Sequence, residues 1–417
     1  MYSSRSEQPA TIIRAKGVYN SAARAYIGQV VLLSAGRIAR IGDFEPLTAQ
    51  APDAAVLDYS GFYLLPGLIN THVHLEFDPT ADVRLKYITG DPGLRLLMAA
   101  HQAEAMLLSG VTTARDAGSS LQLLALQDPA AGHDRSLPRL QLAGPPITRT
   151  GGHLHFIPGS TADSPDELVQ AVEQRRQAGC TAIKIIASGG QLTPGSLPEK
   201  ATYSAEEIRL VTAAAERWGL PTFAHCLTTE SMLNAWRGGV QCLEHCACFV
   251  RNPDNQLLER IYETGRMAEM HGPDRFFMSA ISNNYHAFDH CRQQPELQTA
   301  REAFLLEQEE RNCRIFRKLA ALGLQPVVGT DAGCASTYFD ETWLELDILN
   351  RRCGLAPAEV IQAATVNGAA ALGLSRETGQ LAPGLSADII ALPEDPLRDI
   401  GAFRQVGHVI LRGQVVR

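Results

Sequence analysis

Leu64-Leu65-Pro66-Gly67-Leu68-Ile69-Asn70-Thr71-His72-Val73-His74 is the stretch on which the fold turns. Leu64, Leu65, Leu68 and Ile69 read as a buried strand entered through a Pro-Gly bend. Alternate residues of a strand point the same way, so His72 and His74 face one side together. Two imidazoles on one face, at the end of an apolar strand, supply half of a divalent-metal site. A lone His-X-His more often caps and packs a strand. The ligand types further along the chain change that reading.

Downstream, short apolar runs alternate with helical periodicity. Strand patterns fall at 64–72, 111–116, 139–143, 182–187, 221–225, 240–244, 276–281 and 325–330. Helical patterns fall at 94–109, 165–178, 204–218, 228–238, 296–322 and 357–372. Ser164-Pro165-Asp166-Glu167 and Ser204-Ala205-Glu206-Glu207 combine a capping hydroxyl with acids in the first turn. Eight strands alternating with helices predict an α/β chain with a (β/α)8 TIM barrel over 64–374. A doubly wound open sheet is the alternative. Ala187-Ser188-Gly189-Gly190 follows a strand, but it does not fit G-x-G-x-x-G, and Pro194 and Pro198 stand where a helix is needed, so a nucleotide loop is not indicated. Both ends are β-rich, at 11–15, 30–33 and 37–41 and again at 387–392 and 408–411. They predict a small composite β-sandwich built from 1–63 and 375–417.

The 417 residues, 45% hydrophobic, suffice for a large core with an appendage. A net charge of -8 without a basic cluster argues against nucleic acid as a partner. The nine cysteines form no paired framework. Cys242, Cys246 and Cys248 approach a zinc-knuckle spacing, but no second pair follows, and they read as reduced thiols of a cytoplasmic protein. Residues 1–10 are polar and lack a signal-peptide core, and no apolar run reaches membrane-spanning length, so no membrane partner is expected. An enzyme of this size is commonly a symmetric homo-oligomer, which is the expectation here.

In a barrel, chemistry gathers at the C-terminal ends of the strands. His72 and His74 follow the first strand, and Lys184 lies within the fourth. His225 ends the fifth, His245 the sixth and Asp331 the eighth. Singly, each has an ordinary explanation: a hydrogen-bonded strand-end His, a surface pair with Glu244, a helix cap. Those explanations do not account for all of them falling at one end. Lys184 is the sharpest case, because an ammonium among isoleucines is costly unless paired or neutralised. Reaction with CO2 would turn it into an anionic carbamate ligand able to bridge two cations. Pairing with Glu173 or Glu206 is the competing role.

These residues resemble the amidohydrolase superfamily, and the resemblance covers nearly the whole chain. Thr365-Val366-Asn367-Gly368-Ala369-Ala370-Ala371-Leu372-Gly373 and the run from Gly379 to Asp388 look like its C-terminal signatures. Gly151-Gly152-His153-Leu154-His155 and the Lys184 context resemble the imidazolonepropionase-related branch. That branch holds metal-dependent Xaa-Pro and Xaa-Arg/Lys dipeptidases, related carboxypeptidases and hydrolases of xenobiotic amides, ureas and carbamates. The resemblance implies that His72, His74 and Asp331 hold a more buried zinc ion. It assigns His225 and His245 to a second, with carbamylated Lys184 bridging. It further implies a bridging hydroxide as nucleophile and Asp331 as acceptor of its proton, passed on to the leaving amine. His153 or His155 would assist the second metal at the scissile carbonyl. One departure stands out: dipeptidases of the branch often carry a Tyr shortly after the fifth-strand His, where this chain reads His225-Cys226-Leu227-Thr228. Tyr203 and Tyr285 are the phenols that could replace it.

Arg149, close to His153 in sequence, is the candidate to meet a substrate carboxylate. Arg275 and Arg292 are less well placed, and 279–292 could line a pocket. The leading expectation is a binuclear zinc hydrolase of dipeptides or N-acyl amino acids, a small-molecule amide substrate. The alternative keeps the site and cleaves a carbamate, urea or cyclic amide. A silent scaffold should have lost ligands, and a decarboxylase or deaminase should lack the fourth-strand Lys.

Overall fold

The Pro66-Gly67 bend separates two sheets. In the computed structural model, which describes residues 10–80, 82–127, 137–251, 257–259, 267–285, 298–334 and 336–417, strand Ala55–Pro66 belongs to a terminal sheet and strand Leu68–Val73 begins a second, parallel system. Leu64 and Leu65 pair antiparallel with Ala391 and Ile390. The expected strand 64–72 is therefore two strands, divided at Gly67. A side chain there would stand 2.1 Å from the Thr112 hydroxyl, so only glycine lets the two strands turn this tightly.

All eight expected parallel strands are present: Leu68–Val73, Val111–Asp116, Arg139–Leu142, Ile183–Ile186, Thr222–Cys226, Cys242–His245, Phe276–Met278 and Gln325–Pro326. They pair in chain order as a three-stranded and a five-stranded parallel sheet. Backbone hydrogen bonds link the two sheets at both ends. Ile147 N–H donates to Lys184 O at 2.8 Å, and Thr71 N–H donates to Val328 O at 2.8 Å. From or beside each of the eight strands, one side chain enters a single buried cluster: Ile69, Ala117, Ala143, Ala182, Phe223, Cys242, Met278 and Val327. This is the filling that a TIM-barrel-type fold requires. Helices Pro92–Leu108, Pro165–Ala178 and Ala205–Glu216 bury their apolar faces against the outer surface of the strands. Ser164 and Ser204 cap two of them in full capping boxes with Glu167 and Glu207.

The termini contribute eight strands to one mixed sheet, in which Thr11–Asn20 runs parallel to Ala55–Pro66 and Ile389–Leu392 joins the far side. By hydrogen bonding this is one sheet where the sequence led us to expect a two-sheet sandwich. Adjacent strand residues face opposite sides of the sheet, so Ile13, Val31, Leu64 and Ile389 share one cluster while Ile12, Val30 and Leu47 form another. Among the described residues, no helix is long and apolar enough to cross a membrane.

Candidate metal centre

His72, His74, His153, Lys184, His225, His245 and Asp331 all line one cavity of about 310 Å³ at the C-terminal ends of the parallel strands. Hydrogen bonds fix which ring nitrogen each histidine presents. His72 donates Nδ1–H to Glu244 Oε2 at 2.5 Å. His74 donates Nδ1–H to the Gly118 carbonyl at 3.3 Å. Their Nε2 atoms are left 3.3 Å from the same oxygen, Asp331 Oδ1. His225 donates Nε2–H to the Gly189 carbonyl at 3.1 Å, which frees Nδ1. The Gly189-Gly190 segment therefore serves the site, though not as a nucleotide loop. Ligand atoms of His72, His245 and Asp331 lie within 4.8 Å of one another, as do those of His74, Asp331 and Cys334.

Burial sets the protonation of this cluster. It pushes His153 down to about 3, with His74 adding to the effect, and His245 down to about 3. His225 falls well below its ordinary 6.5 for the same reason, reinforced by His153 and His245. Neutral imidazoles with a free lone pair are what a cation needs. Burial would raise Asp331, but the close approach of His72 and His74 outweighs it and holds the carboxyl well below its usual value. Lys184 is 1% exposed, its Nζ has no hydrogen-bond partner, and burial lowers it to about 8 against the pull of Glu244 and Asp331. His72 Nε2 is likewise buried without a hydrogen bond. These orphaned atoms, with hard and borderline donors around them, fit one or more divalent cations.

The histidine shifts carry a pH prediction. Below pH 6.5 the unfolded chain takes up protons that the folded site refuses, so the metal-free protein loses stability as pH falls from about 6.5 towards 3. Thermal melts of chelator-treated protein should show a falling Tm across that window. A Tm independent of pH there would contradict it.

Backbone strain marks the same place. Leu154, His245 and Asp331 adopt left-handed φ of +60°, +68° and +60°, conformations that persist in non-glycine residues only where the surroundings enforce them. Asp331 N–H is tied to His72 O at 2.9 Å, which locks the eighth strand end onto the first.

Several residues matter that the sequence did not single out. Glu244, read from sequence as a possible surface partner of His245, is 0% exposed. It accepts from His72 and also from Arg115 Nη2 at 2.9 Å, itself 0% exposed and 3.7 Å over the Phe223 ring. Burial would raise Glu244, but Arg115 and His72 bring it down to about 2. Asn283 donates Nδ2–H to Asp331 Oδ2 at 3.0 Å. It sits on a short 3-10 turn whose Ile281 and Ser282 amides donate to the buried Glu345 carboxylate. The only sequence signal for Glu244 was its position beside a strand-end His.

Other candidates are placed differently. Arg149 does not line the cavity. Its guanidinium pairs with Glu207 Oε1 at 2.5 Å, donates to the Asp163 and Thr202 carbonyls and packs 4.5 Å over Tyr203. Tyr203 is also outside the cavity, buried, and donates its hydroxyl to Ala162 O at 2.8 Å. A helix-capping Glu207 captures the cation that the sequence offered to substrate. His155 is half-buried and outside the lining, unlike His153. Tyr285 is exposed and outside it too. Arg275 is committed to the Val240 carbonyl and the Trp236 ring. Of the segment 279–292, Ser279, Ala280 and Asn283 line the cavity, while His286, His290 and Arg292 lie outside the described residues. Cys242, Cys246 and Cys248 are free and buried.

The chain belongs to the amidohydrolase family, whose sequence profile matches residues 63–416. An ochratoxinase of Aspergillus niger is 26% identical over 392 residues, covering 85% of this chain and 75% of that protein. An imidazolonepropionase of Brevibacillus brevis is 24% identical over 392 residues, covering 86% and 82%. The solved structure of a Xaa-Pro dipeptidase with methionine bound in its active site superposes with a TM-score of 0.81 at 24% identity, over 98% of this chain and all of that one, and shares the fold. The protein is thus a hydrolytic enzyme of a family that generally uses metal ions, with His/Asp groups suited to them.

Proposed function

We propose that this protein is a binuclear zinc-dependent hydrolase of amide bonds, acting on dipeptides or N-acyl amino acids. The observation that carries the reading is the convergence of His72, His74, Lys184, His225, His245 and Asp331 on one cavity, with His72 Nε2 and Lys184 Nζ buried and unpartnered. In this reading His72, His74 and Asp331 would hold one ion and His225 and His245 a second, and Lys184, as its CO2-derived carbamate, would add an anionic oxygen ligand. Bound zinc supplies Lewis acidity and a water of lowered pKa. Asp331 accepts the proton of the attacking water and returns it to the leaving amine. His153, neutral and facing the cavity, donates a hydrogen bond to the scissile carbonyl oxygen. Leu154, Ile186, Leu192 and Leu227 give the acyl side chain an apolar wall. The fold reading that goes with this site is a closed eight-stranded barrel over 64–374, carrying a composite β-sandwich domain from 1–63 and 375–417. The hydrogen bonds joining the two parallel sheets and the clusters within the terminal sheet support it.

Lys184→Ala is expected to bind fewer than two zinc ions per chain and to lose most activity, with partial recovery in added short carboxylates that replace the carbamate oxygens. Two tightly bound metals and normal turnover without such additives would rule the carbamate out.

A second reading, cleavage of a carbamate, urea or cyclic amide, is favoured by the engagement of Arg149 with Glu207 and by the neutral polar groups Gln191, Asn283, Asn312 and Thr337 in the cavity wall. A hydrolysis screen of zinc-loaded protein separates the two. Dipeptides and N-acetyl and N-formyl amino acids form one set, carboxylate-free ureas and carbamates the other. Turnover confined to the first set supports the leading reading, and turnover confined to the second overturns it.

A further inference from the structure

Cys334 stands where a hydrophobic cluster around Phe77, Leu154 and Ile186 meets the cavity. It follows Asp331-Ala332-Gly333 in a tight turn. Cys334 N–H donates to Asp331 O at 3.1 Å, Gly333 N–H to Thr337 O at 3.0 Å, and Thr337 N–H back to Cys334 O at 3.0 Å. Gly333 has φ +100°, and a side chain on it would stand 2.3 Å from the His74 carbonyl. The turn can therefore press against the first strand only with glycine at that position. Its effect is to bring Cys334 back beside Asp331, where it lines the cavity. The thiol sulfur, an imidazole nitrogen of His74 and a carboxylate oxygen of Asp331 then lie within 4.8 Å of one another. A second observation points to a ligand in the same space. His72 Nε2 and Lys184 Nζ, on side chains about 99% buried, line this cavity without a hydrogen-bond partner.

We propose that Cys334 is a sulfur ligand of the metal site of His72, His74 and Asp331, which makes that site a mixed nitrogen, oxygen and sulfur centre. The inference rests on the metal-centre reading above and adds to it a residue of this chain. Coordination forms a sulfur–metal bond and breaks the S–H bond. The proton leaves to water, and no oxidation state changes. Thiolate is a soft donor, so the site should favour zinc, cobalt and cadmium over magnesium and manganese. Of the free cysteines among the described residues, Cys334 alone lines this cavity.

The test is cobalt substitution. Chelator-treated full-length protein is loaded with Co2+, bound metal is counted by mass spectrometry, and the near-ultraviolet absorption is recorded. Wild type should show a thiolate-to-cobalt charge-transfer band that Cys334→Ala and Cys334→Ser both lack while each still binds cobalt. Binding of cobalt by wild type without the band overturns the sulfur ligand and leaves the metal centre intact. A band that persists in both variants also overturns it, assigning the sulfur to another cysteine. Failure of wild type to bind cobalt at all overturns the metal-centre reading together with this one. The serine variant guards against misfolding, because it preserves the volume of the turn.

Discussion

Asp331→Asn is expected to lower kcat by about 10²–10⁴-fold, the range that positioned proton transfer contributes. The geometry explains why an isosteric amide cannot substitute. Asp331 Oδ1 stands 3.3 Å from both His72 Nε2 and His74 Nε2, while Oδ2 accepts from Asn283 at 3.0 Å. Oδ2 is therefore an acceptor in use, and Oδ1 is the oxygen on which the two imidazole nitrogens converge. An amide offers one oxygen and one nitrogen. If the amide turns its nitrogen to Asn283, Asn283 meets a donor where it met an acceptor; turned the other way, the amide sets an N–H where the carboxylate and both Nε2 atoms converge. The amide also has no basic oxygen to take a proton. Metal content should be measured alongside kcat, so that a lost proton acceptor is distinguished from a lost cation. A variant with two metals bound and kcat within tenfold of wild type would remove Asp331 from the proton path.

Glu244→Leu is expected to be nearly as severe by a different route. Glu244 bridges His72 and Arg115, and all three are sealed from solvent. Without the carboxylate, His72 loses the bond that directs Nε2 toward Asp331, and loss of such an outer partner typically costs about 10–100-fold in metal affinity. Arg115 is left charged in the core with its bond to the Thr71 carbonyl and the Phe223 ring but no counter-charge, and breaking one side of a buried pair costs about 3–5 kcal/mol. The double change Arg115→Met with Glu244→Leu separates the two effects. It removes both charges, so much of the lost stability should return. The metal affinity should stay low, because His72 still lacks its orienting carboxylate. Denaturant melts and competitive zinc titration read the two quantities independently. If the double variant recovers zinc affinity as well as stability, Glu244 acts only as the partner of Arg115.

Both predictions depend on groups that differ in how far the sequence exposed them. Asp331 ends an apolar run after Gly-Thr, so its place at a strand end follows from local pattern. Glu244 carries no local sign of its role, because its partners lie 129 and 172 residues away along the chain. The same contrast separates His153 from Arg149. Both are close in sequence and both were offered to the site, but Arg149 meets a helix-capping glutamate before it reaches the cavity.

By itself the sequence determined which segments alternate as strands and helices and which residues stand at strand ends. The period of two decides which face a side chain takes, and the strand-to-helix order decides which end it occupies. His72, His74, Lys184, His225, His245 and Asp331 could therefore be brought to one end of the strands from spacing alone. Only the tertiary structure decided that the run from Leu64 to His72 is shared between two sheets, because Leu64 and Leu65 find their partners at Ala391 and Ile390, more than three hundred residues on. It alone decided that Glu244 serves His72, that Arg149 is used up by Glu207, and that Cys334 is folded back onto the site. The physical reason is common to all of these. A charge or hydrogen-bonding group is committed to whichever partner can replace its lost hydration when the core closes, and that partner is chosen by contact in space rather than by spacing along the chain.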